Sequence, residues 1–146
     1  MQYSFIMVKP GFTVYANEII EKIASHTNAT ILGQKQFRLT PALCDEHYSH
    51  IKHKPFFAGN QEYMMSGDVV GAILVRADGN LTDDIRTIVG DTRGETAGTL
   101  RHHYRKLIGG GEIWANAVHC SGYDADGRDE GETECRRFAE ILGVKL

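Results

Sequence analysis

The chain has 146 residues, of which 42% are hydrophobic and 24% charged, with a formal net charge of −3 at pH 7. This size and composition predict a single folded domain, residues 1–146, and exclude a disordered chain. The negative charge argues against general nucleic-acid binding, and no apolar run approaches the length of a membrane span, so we expect neither partner.

The first half of the chain alternates between extended and helical patterns. In order, it predicts a strand at 3–8, a helix at 17–25 and a second strand at 30–39. Two further helices follow, one from Thr40-Pro41 onward and one at 55–65. Pro10 ends the first strand because proline cannot donate to a sheet ladder. Pro41 suits the first turn of a helix, where its missing N–H has no partner to lose.

The second half continues the alternation. Residues 68–75 are apolar nearly throughout and predict a central strand, and residues 81–89 predict a helix with acidic Asp83 and Asp84 in its first turn. A polar loop follows over 91–98. The remaining predictions are a helix at 100–107 ended by Gly109-Gly110-Gly111, a fourth strand at 114–118 and a last helix at 130–142.

The alternation predicts a layered α/β or α+β domain with helices packed on a sheet, and it leaves a parallel and a ferredoxin-like antiparallel sheet both open. His119 follows the predicted fourth strand, beside a polar, glycine-rich loop. Strand ends next to loops often present reactive side chains, and a neutral imidazole is a nucleophile near neutral pH. A histidine without chemical function is the alternative for this position.

Several residues at predicted element ends suit a phosphate ligand. Such a site needs cations for charge and hydroxyls for the remaining oxygens, and the candidates are Lys9, Arg86, Thr92 and Arg101. Taken singly, each is equally an ordinary solvated side chain. Tyr48 and Phe56-Phe57 could stack on a flat ligand or pack in the core.

Taken in order, these residues resemble the nucleoside diphosphate kinase family. The matching pieces, from Phe5 to Ser121 with a weaker match in the last helix, are Phe5-Ile6-Met7-Val8-Lys9-Pro10, His47-Tyr48, Pro55-Phe56-Phe57-Ala58-Gly59, Met65-Ser66-Gly67, Gly98-Thr99-Leu100-Arg101, and Asn116, His119 and Ser121. The resemblance implies an α+β ferredoxin-like sandwich, a four-stranded antiparallel sheet with helices packed on it. It also implies ping-pong transfer of the γ-phosphate of ATP to a nucleoside diphosphate.

The resemblance assigns an expected role to each site residue. It implies His119 as the phosphorylated nucleophile, Ser121 beside it and Glu134 as the carboxylate that orients the imidazole. The implied nucleotide-binding residues are Lys9, Tyr48, Arg86, Thr92 and Arg101 for the phosphates, Phe56 for the base and Asn116 for the ribose. It further implies Mg²⁺ bound with the nucleotide phosphates, no metal held by protein side chains, and a homo-oligomer (hexamer, tetramer or dimer).

The sequence departs from the family pattern at several points. Gly11 replaces the usual Asp after Pro10, Cys120 follows the histidine, and Gly122 replaces an Asp after the serine. Loop 92–99 looks short, residues between Arg101 and Asn116 look inserted, and segment 122–131 looks long and acidic. A catalytically impaired nucleotide-binding or regulatory module on the same fold is therefore the alternative function, and a ferredoxin-like RNA-binding module is a third.

Two further side-chain sets admit a chemical and an ordinary interpretation. Cys120 could be a redox-sensitive thiol or a small buried residue, and we favour the latter. His47, His50 and His53 have a spacing of three, but no adjacent Cys or carboxylate completes a metal-ligand set, so we expect no metal there. Three widely spaced cysteines suggest reduced thiols and a cytoplasmic protein.

Overall fold

The computed structural model describes residues 1–107, 112 and 114–146. Its strands are β1 (Gln2–Val8), β2 (Thr30–Phe37), β3 (Val69–Arg76) and β4 (Val118–Cys120). Its α-helices are α1 (Ala16–Thr27), α2 (Pro41–His47), α3 (Phe57–Met64), α4 (Leu81–Val89), α5 (Leu100–Leu107) and α6 (Gly131–Leu142). The predicted helix end at Gly109-Gly110-Gly111 lies outside the described residues. In the described part of the chain, no helix is long and apolar enough to cross a membrane.

The four strands form one sheet in the order β2-β3-β1-β4, and every neighbouring pair is antiparallel. This order is the split βαβ arrangement of the ferredoxin-like fold, so the predicted α+β sandwich is confirmed. β3 pairs with β1 along its whole length and with β2 on its other side. Its nearly continuous apolar sequence is explained because helices cover both faces of this central strand.

Helices pack on both faces of the sheet because neighbouring side chains of a strand point to opposite faces. Ile6 and Val8 of β1 face a core formed with α1, α4 and α5. Phe5 and Met7 face a second core formed with α2, α3 and α6. The second core matters for the site, since residues of β4 and α6 meet at its edge.

Side chains cap the starts of two helices. The Thr40 side chain caps α2 by accepting from the Leu43 N–H at 3.2 Å, and Pro41 occupies the first helical turn. Asn80 caps α4 by accepting from the Asp83 N–H at 3.1 Å. These bonds satisfy N–H groups that a helix leaves unpaired at its start.

The prediction for the fourth strand was wrong in its position. The apolar run at 114–118 indicated a strand that ends before His119, whereas β4 spans Val118–Cys120 and His119 pairs with Met7 in its centre. Ala117 has φ 76°, a left-handed conformation that an extended strand does not contain. The chain therefore turns through 114–117 and begins to pair with β1 only at Val118.

Candidate functional site

His119 projects from β4 toward α6, where it meets a carboxylate. Its Nε2 atom lies 2.8 Å from Oε1 of Glu134. An ionised carboxylate only accepts hydrogen bonds, so Nε2 carries the imidazole proton and donates it. The neutral ring then keeps its lone pair on Nδ1, which leaves that atom able to act as a nucleophile.

Glu134 is buried in the first turn of α6 and receives two hydrogen bonds on one oxygen. Besides His119, the Ser121 hydroxyl donates to Oε1 at 2.9 Å. Burial alone would raise the pKa of Glu134, but His119, through charge and hydrogen bond, with His47 and Ser121, lowers it to about 2. The carboxylate is therefore ionised at neutral pH and holds the imidazole in one tautomer.

Ser121 connects this pair to the central strand. Its Oγ accepts a hydrogen bond from the Phe5 backbone N–H at 3.0 Å, while its backbone N–H donates to the Phe5 carbonyl at 3.0 Å. The structure thus brings together three predicted site residues, His119, Ser121 and Glu134. It places them on a strand, its immediate extension and a helix, elements that hold side chains more rigidly than loops.

Lys9 lies at the end of β1 with only 6% of its surface exposed. Its Nζ donates to the Trp114 carbonyl at 2.8 Å. Burial first, and then the positive charge of Arg101, lower the pKa of Lys9 to about 7. A buried ammonium without a counter-ion is costly, so this position favours an anionic ligand that would restore the charge.

Arg101 on α5 reaches the backbone next to the nucleophile. Its Nε and Nη2 atoms donate to the Val118 carbonyl at 3.1 and 3.0 Å, and Nη1 donates to the Gly90 carbonyl at 3.1 Å. The Arg86 guanidinium lies over Gly122, where a Cβ atom would be 2.8 Å from its Nη1. The two guanidinium groups therefore lie beside β4 and the residues that follow it.

Asn116 and Thr92 contact one another. The Asn116 Nδ2 atom donates to the Thr92 carbonyl at 3.1 Å, and its buried Oδ1 has no hydrogen-bond partner among the described residues. Tyr48 follows α2 and is also buried; its hydroxyl likewise has no partner in the part of the chain that the structure describes. Burial raises the pKa of Tyr48, so the phenol stays protonated and can donate.

Phe56 and Phe57 differ in environment. Phe57 packs against the second core, whereas 43% of the Phe56 surface is exposed. Among the described residues, the ring of Phe56 makes no contact with another aromatic ring. The exposed ring of Phe56 is therefore free to stack on a ligand.

The segments that depart from the family pattern are internally bonded. Asp91 closes the loop after α4 by accepting from the backbone N–H groups of Glu95 and Thr96, which lower its pKa to about 2. After β4, Tyr123 and Asp129 form an isolated antiparallel bridge, and Asp124 accepts from the Arg128 N–H at 2.9 Å. Part of the acidity of 122–131 thus serves to fold that segment.

Cys120 is buried in β4 on the face opposite His119. Burial raises the pKa of its thiol, although Arg101, Arg86 and Lys9 act in the opposite direction. A thiol that stays protonated is a poor nucleophile and reacts slowly with oxidants. This environment agrees with a small buried residue rather than a redox-sensitive one.

The sequence did not indicate the role of His47. Its ring is buried, 4% exposed, and packs edge-on against His119 with centroids 4.5 Å apart. Its Nδ1 accepts a hydrogen bond from Nη1 of Arg137 at 2.8 Å. Two signals bore on it: His47 belongs to the His47-Tyr48 piece of the family resemblance, and the three-residue spacing of Glu134 and Arg137 places both on one helix face.

The groups of His47, His119 and Glu134 that could ligate a metal lie within 4.8 Å of one another. Two nitrogens and one carboxylate do not suit Mg²⁺, which prefers oxygen ligands. Arg137 also opposes a transition metal, because its guanidinium repels cations and its donated bond places the His47 proton on Nε2. His50 and His53 are exposed and lie outside this group.

Comparison with known proteins gives a consistent result. The family model described as "Nucleoside diphosphate kinase" matches residues 2–137. The chain is 32% identical over 142 residues to the nucleoside diphosphate kinase of Acetivibrio thermocellus, covering 94% of this chain and 96% of that protein. It is 31% identical over 146 residues to the nucleoside diphosphate kinase of Symbiobacterium thermophilum, covering 97% of this chain and 89% of that one.

Solved structures resemble the chain over nearly its whole length. A nucleoside diphosphate kinase from Halobacterium salinarum in complex with CDP superposes with a TM-score of 0.78 at 28% identity, covering 94% of this chain and 86% of that one. The Aquifex aeolicus nucleoside diphosphate kinase superposes with a TM-score of 0.77 at 26% identity, covering 94% of each chain.

Proposed function

The chain belongs to the nucleoside diphosphate kinase family, and from this we propose that His119 is the residue that carries the phosphoryl group between two nucleotides. The protein is a phosphotransferase that moves the γ-phosphate of a nucleoside triphosphate to a nucleoside diphosphate. The observation that carries the assignment to His119 is its 2.8 Å hydrogen bond to Glu134, which leaves the lone pair on Nδ1.

The transfer proceeds in two similar steps. The Nδ1 lone pair attacks the γ-phosphorus, the bond to the bridging oxygen breaks, and the nucleoside diphosphate leaves with that electron pair. A β-phosphate oxygen of the second nucleotide then attacks the same phosphorus and releases the imidazole. The Nε2–H···Glu134 bond stabilises the positive charge that the ring gains on phosphorylation, and Ser121 holds the carboxylate in place.

The nucleotide phosphates would bind among the cations around β4. A phosphate would balance the charge of the buried Lys9 ammonium. Arg101 would donate to phosphate oxygens in place of the backbone carbonyls that it now contacts. Arg86, Thr92 and the Tyr48 hydroxyl would complete the phosphate contacts. Support for nucleotide binding comes from the halobacterial relative, whose structure is a complex with CDP.

The nucleoside would bind at the outer part of the site. The unpartnered Oδ1 of Asn116 would accept a hydrogen bond from a ribose hydroxyl, and the exposed ring of Phe56 would stack on the base. Stacking discriminates weakly among bases because every base has a π-face. We therefore expect the enzyme to accept several nucleotides.

Members of the family use a divalent metal, and we assign Mg²⁺ to the substrate in this protein. Mg²⁺ bound to the phosphates neutralises charge that develops during transfer. Among the described residues, the His47, His119 and Glu134 group does not provide the oxygen ligands that Mg²⁺ prefers, so the metal would arrive with the nucleotide.

Two further properties belong to the same proposal. We propose a homo-oligomer, as in the family resemblance, which light scattering after size exclusion would measure. We also propose a cytoplasmic protein, because Cys44, Cys120 and Cys135 are all free and buried, as expected for a reducing compartment. Fractionation of cells that express the protein would test the second point.

Labelling with [γ-³²P]ATP tests the nucleophile. Wild-type protein should gain an acid-labile, alkali-stable label that a nucleoside diphosphate removes, and His119→Ala should gain none. His53→Ala, which changes an exposed histidine outside the group of His47, His119 and Glu134, is the matched control and should label like the wild type. A wild-type protein without label would favour the nucleotide-binding module that lacks catalysis.

A further inference from the structure

Two histidines compete for one buried carboxylate in this site. His119 donates to Glu134 at 2.8 Å, and polar atoms of His47 lie within 4.8 Å of both residues. Opposite charges at such distances attract strongly where water is excluded. A positively charged His47 would therefore draw Glu134 away from His119, so something must keep it neutral.

Burial opposes that charge, and Arg137 adds a directed restraint on the His47 ring. Its Nη1 donates to Nδ1 of His47 at 2.8 Å, and its Nε lies 3.4 Å from Oε1 of Glu46, the residue before His47 on α2. Arginine has donors only, so Nδ1 of His47 must be the acceptor and its single proton must lie on Nε2. A second proton on Nδ1 would place two N–H groups and two positive charges against each other.

We propose that Arg137 is a positioning residue that reserves Glu134 for His119 by holding His47 neutral, as the Nε2–H tautomer. This inference rests on the proposed function of His119 as the nucleophile. His47 then packs its neutral ring edge-on against His119 and limits ring rotation without contributing a competing charge. Phe5 and Phe138 complete the packing around His47, at centroid distances of 6.4 and 5.3 Å.

The charged and titratable groups that face His47 agree with this assignment. They come from β4, α6 and the turn after α2, and are His119, Glu134, Arg137 and His50. Burial first, and then the charge of His119, lower the pKa of His47 well below its usual range, with Arg137 and His50 acting in the same direction. Glu134 opposes them, so the loss of Arg137 would shift the balance toward protonation of His47, with burial and His119 still acting against it.

The kinetic test uses the pH dependence of His119 phosphorylation. Arg137→Met should label at close to the wild-type rate at pH 8 but lose roughly tenfold more rate than the wild type at pH 6, as His47 gains charge. Arg137→Lys, which keeps a cation, should retain the wild-type profile. Arg137→Met combined with His47→Gln should also recover that profile, because the glutamine cannot become positively charged.

A matched control separates the ion pair from the effect on His47. Glu46→Gln removes the partly exposed pair with Arg137 but leaves the Arg137–His47 bond in place. It should keep the wild-type pH profile, because pairs with an exposed partner contribute little. An Arg137→Met profile that matches the wild type, or a double variant that keeps the acid sensitivity, would overturn the proposal.

Nitrogen NMR of the imidazoles gives a readout that needs no activity. In the wild type, His47 should show a protonated Nε2 and an unprotonated Nδ1 from pH 8 to pH 5.5, and in Arg137→Met it should gain a second proton in that range. A wild-type His47 that is doubly protonated, or protonated on Nδ1, refutes the proposal even if the variant does not fold. Absence of phosphate label on the wild type would instead refute the proposed nucleophile, while the titration still decides the role of Arg137.

Discussion

The nucleophile region and the nucleotide-binding region of this enzyme are built differently. His119, Ser121 and Glu134 are bonded to one another and to β1, as they would need to be during the reaction. Lys9, Arg101 and Asn116 instead donate to backbone carbonyls of Trp114, Val118, Gly90 and Thr92. The first region is preorganised, whereas in the second substrate groups have to replace internal partners.

The difference has an energetic reason. A buried carboxylate that accepts hydrogen bonds can remain ionised without a ligand, so the bonds from His119 and Ser121 stabilise Glu134 in the free enzyme. Among the described residues, Lys9 and Arg101 form no salt bridge with a carboxylate, and the cost of their burial appears as the lowered pKa of Lys9. Binding of an anionic substrate removes that cost, so the charge of the substrate helps to arrange the cationic side chains of the site.

Breaking the preorganised region should have the largest effect. Glu134→Gln removes the negative charge behind the imidazole, and we expect the phosphorylation rate of His119 to fall by about 10²- to 10⁴-fold, measured in a single turnover. Glu132→Gln, on the exposed face of the same helix, is the control and should stay near the wild-type rate. A Glu134→Gln rate within threefold of the control would show that the carboxylate is dispensable.

Lys9→Met should distinguish the nucleotide-binding region from the nucleophile region, because it should lower activity while raising the stability of the free protein. We expect turnover to fall by about 10²- to 10³-fold as one phosphate cation is lost. The free energy of unfolding should rise by about 1 to 3 kcal/mol in urea titrations at pH 6 without nucleotide, since a buried charge is removed.

The pH dependence fixes the sign of the Lys9 effect. The pKa of Lys9 is lowered to about 7 from 10.5, so between these values the unfolded chain binds the proton more tightly than the folded one. The charge of Lys9 therefore destabilises the folded protein fully below pH 7 and no longer does so near pH 10.5. The gain in the free energy of unfolding from Lys9→Met should change with pH in the same way. Lys35→Met on exposed β2 should change stability by less than about 0.5 kcal/mol, and an equal gain there would reject burial as the cause.

Phe56→Ala tests the outermost part of the nucleotide-binding region. Loss of stacking should weaken nucleotide binding by about 1 to 3 kcal/mol, to a similar extent for purine and pyrimidine nucleotides, as measured by calorimetry. Val14→Ala removes another exposed apolar side chain and should leave the affinity unchanged. Unaltered affinity in Phe56→Ala would mean that the ring serves packing only.

The smallest expected effect is on acid stability. The pKa of His47 is lowered below 6.5, so the unfolded chain takes up a proton first as the pH falls. Stability is therefore lost as the pH falls below about 6.5, and His47→Gln should reduce that loss in urea titrations at several pH values. His53→Gln, at an exposed position, should lose stability with falling pH like the wild type. If the free energy of unfolding of His47→Gln fell with pH as steeply as that of His53→Gln, a neutral buried His47 would be contradicted.

Much of this molecule could be predicted from short stretches of sequence. The bounds of α4 and α5 are those predicted, because apolar periodicity and polar boundaries act within a single element. The candidate site residues form an ordered set in the sequence, with the spacing typical of the family. The position of β4 was missed, since the apolar run 114–118 does not reveal the left-handed turn at Ala117.

The sequence by itself determined the alternating elements, the antiparallel sandwich implied by the family resemblance, and the residue types that a phosphoryl transfer needs. Only the tertiary structure decided that Arg137 bonds to His47, 90 residues earlier in the chain, and that Lys9 is buried beside Arg101. Periodicity and capping are local, whereas pKa and tautomer depend on groups that folding brings together from distant elements. His119 was identifiable from its neighbours in sequence, but its reactive nitrogen follows from Glu134, which approaches it only in the folded protein.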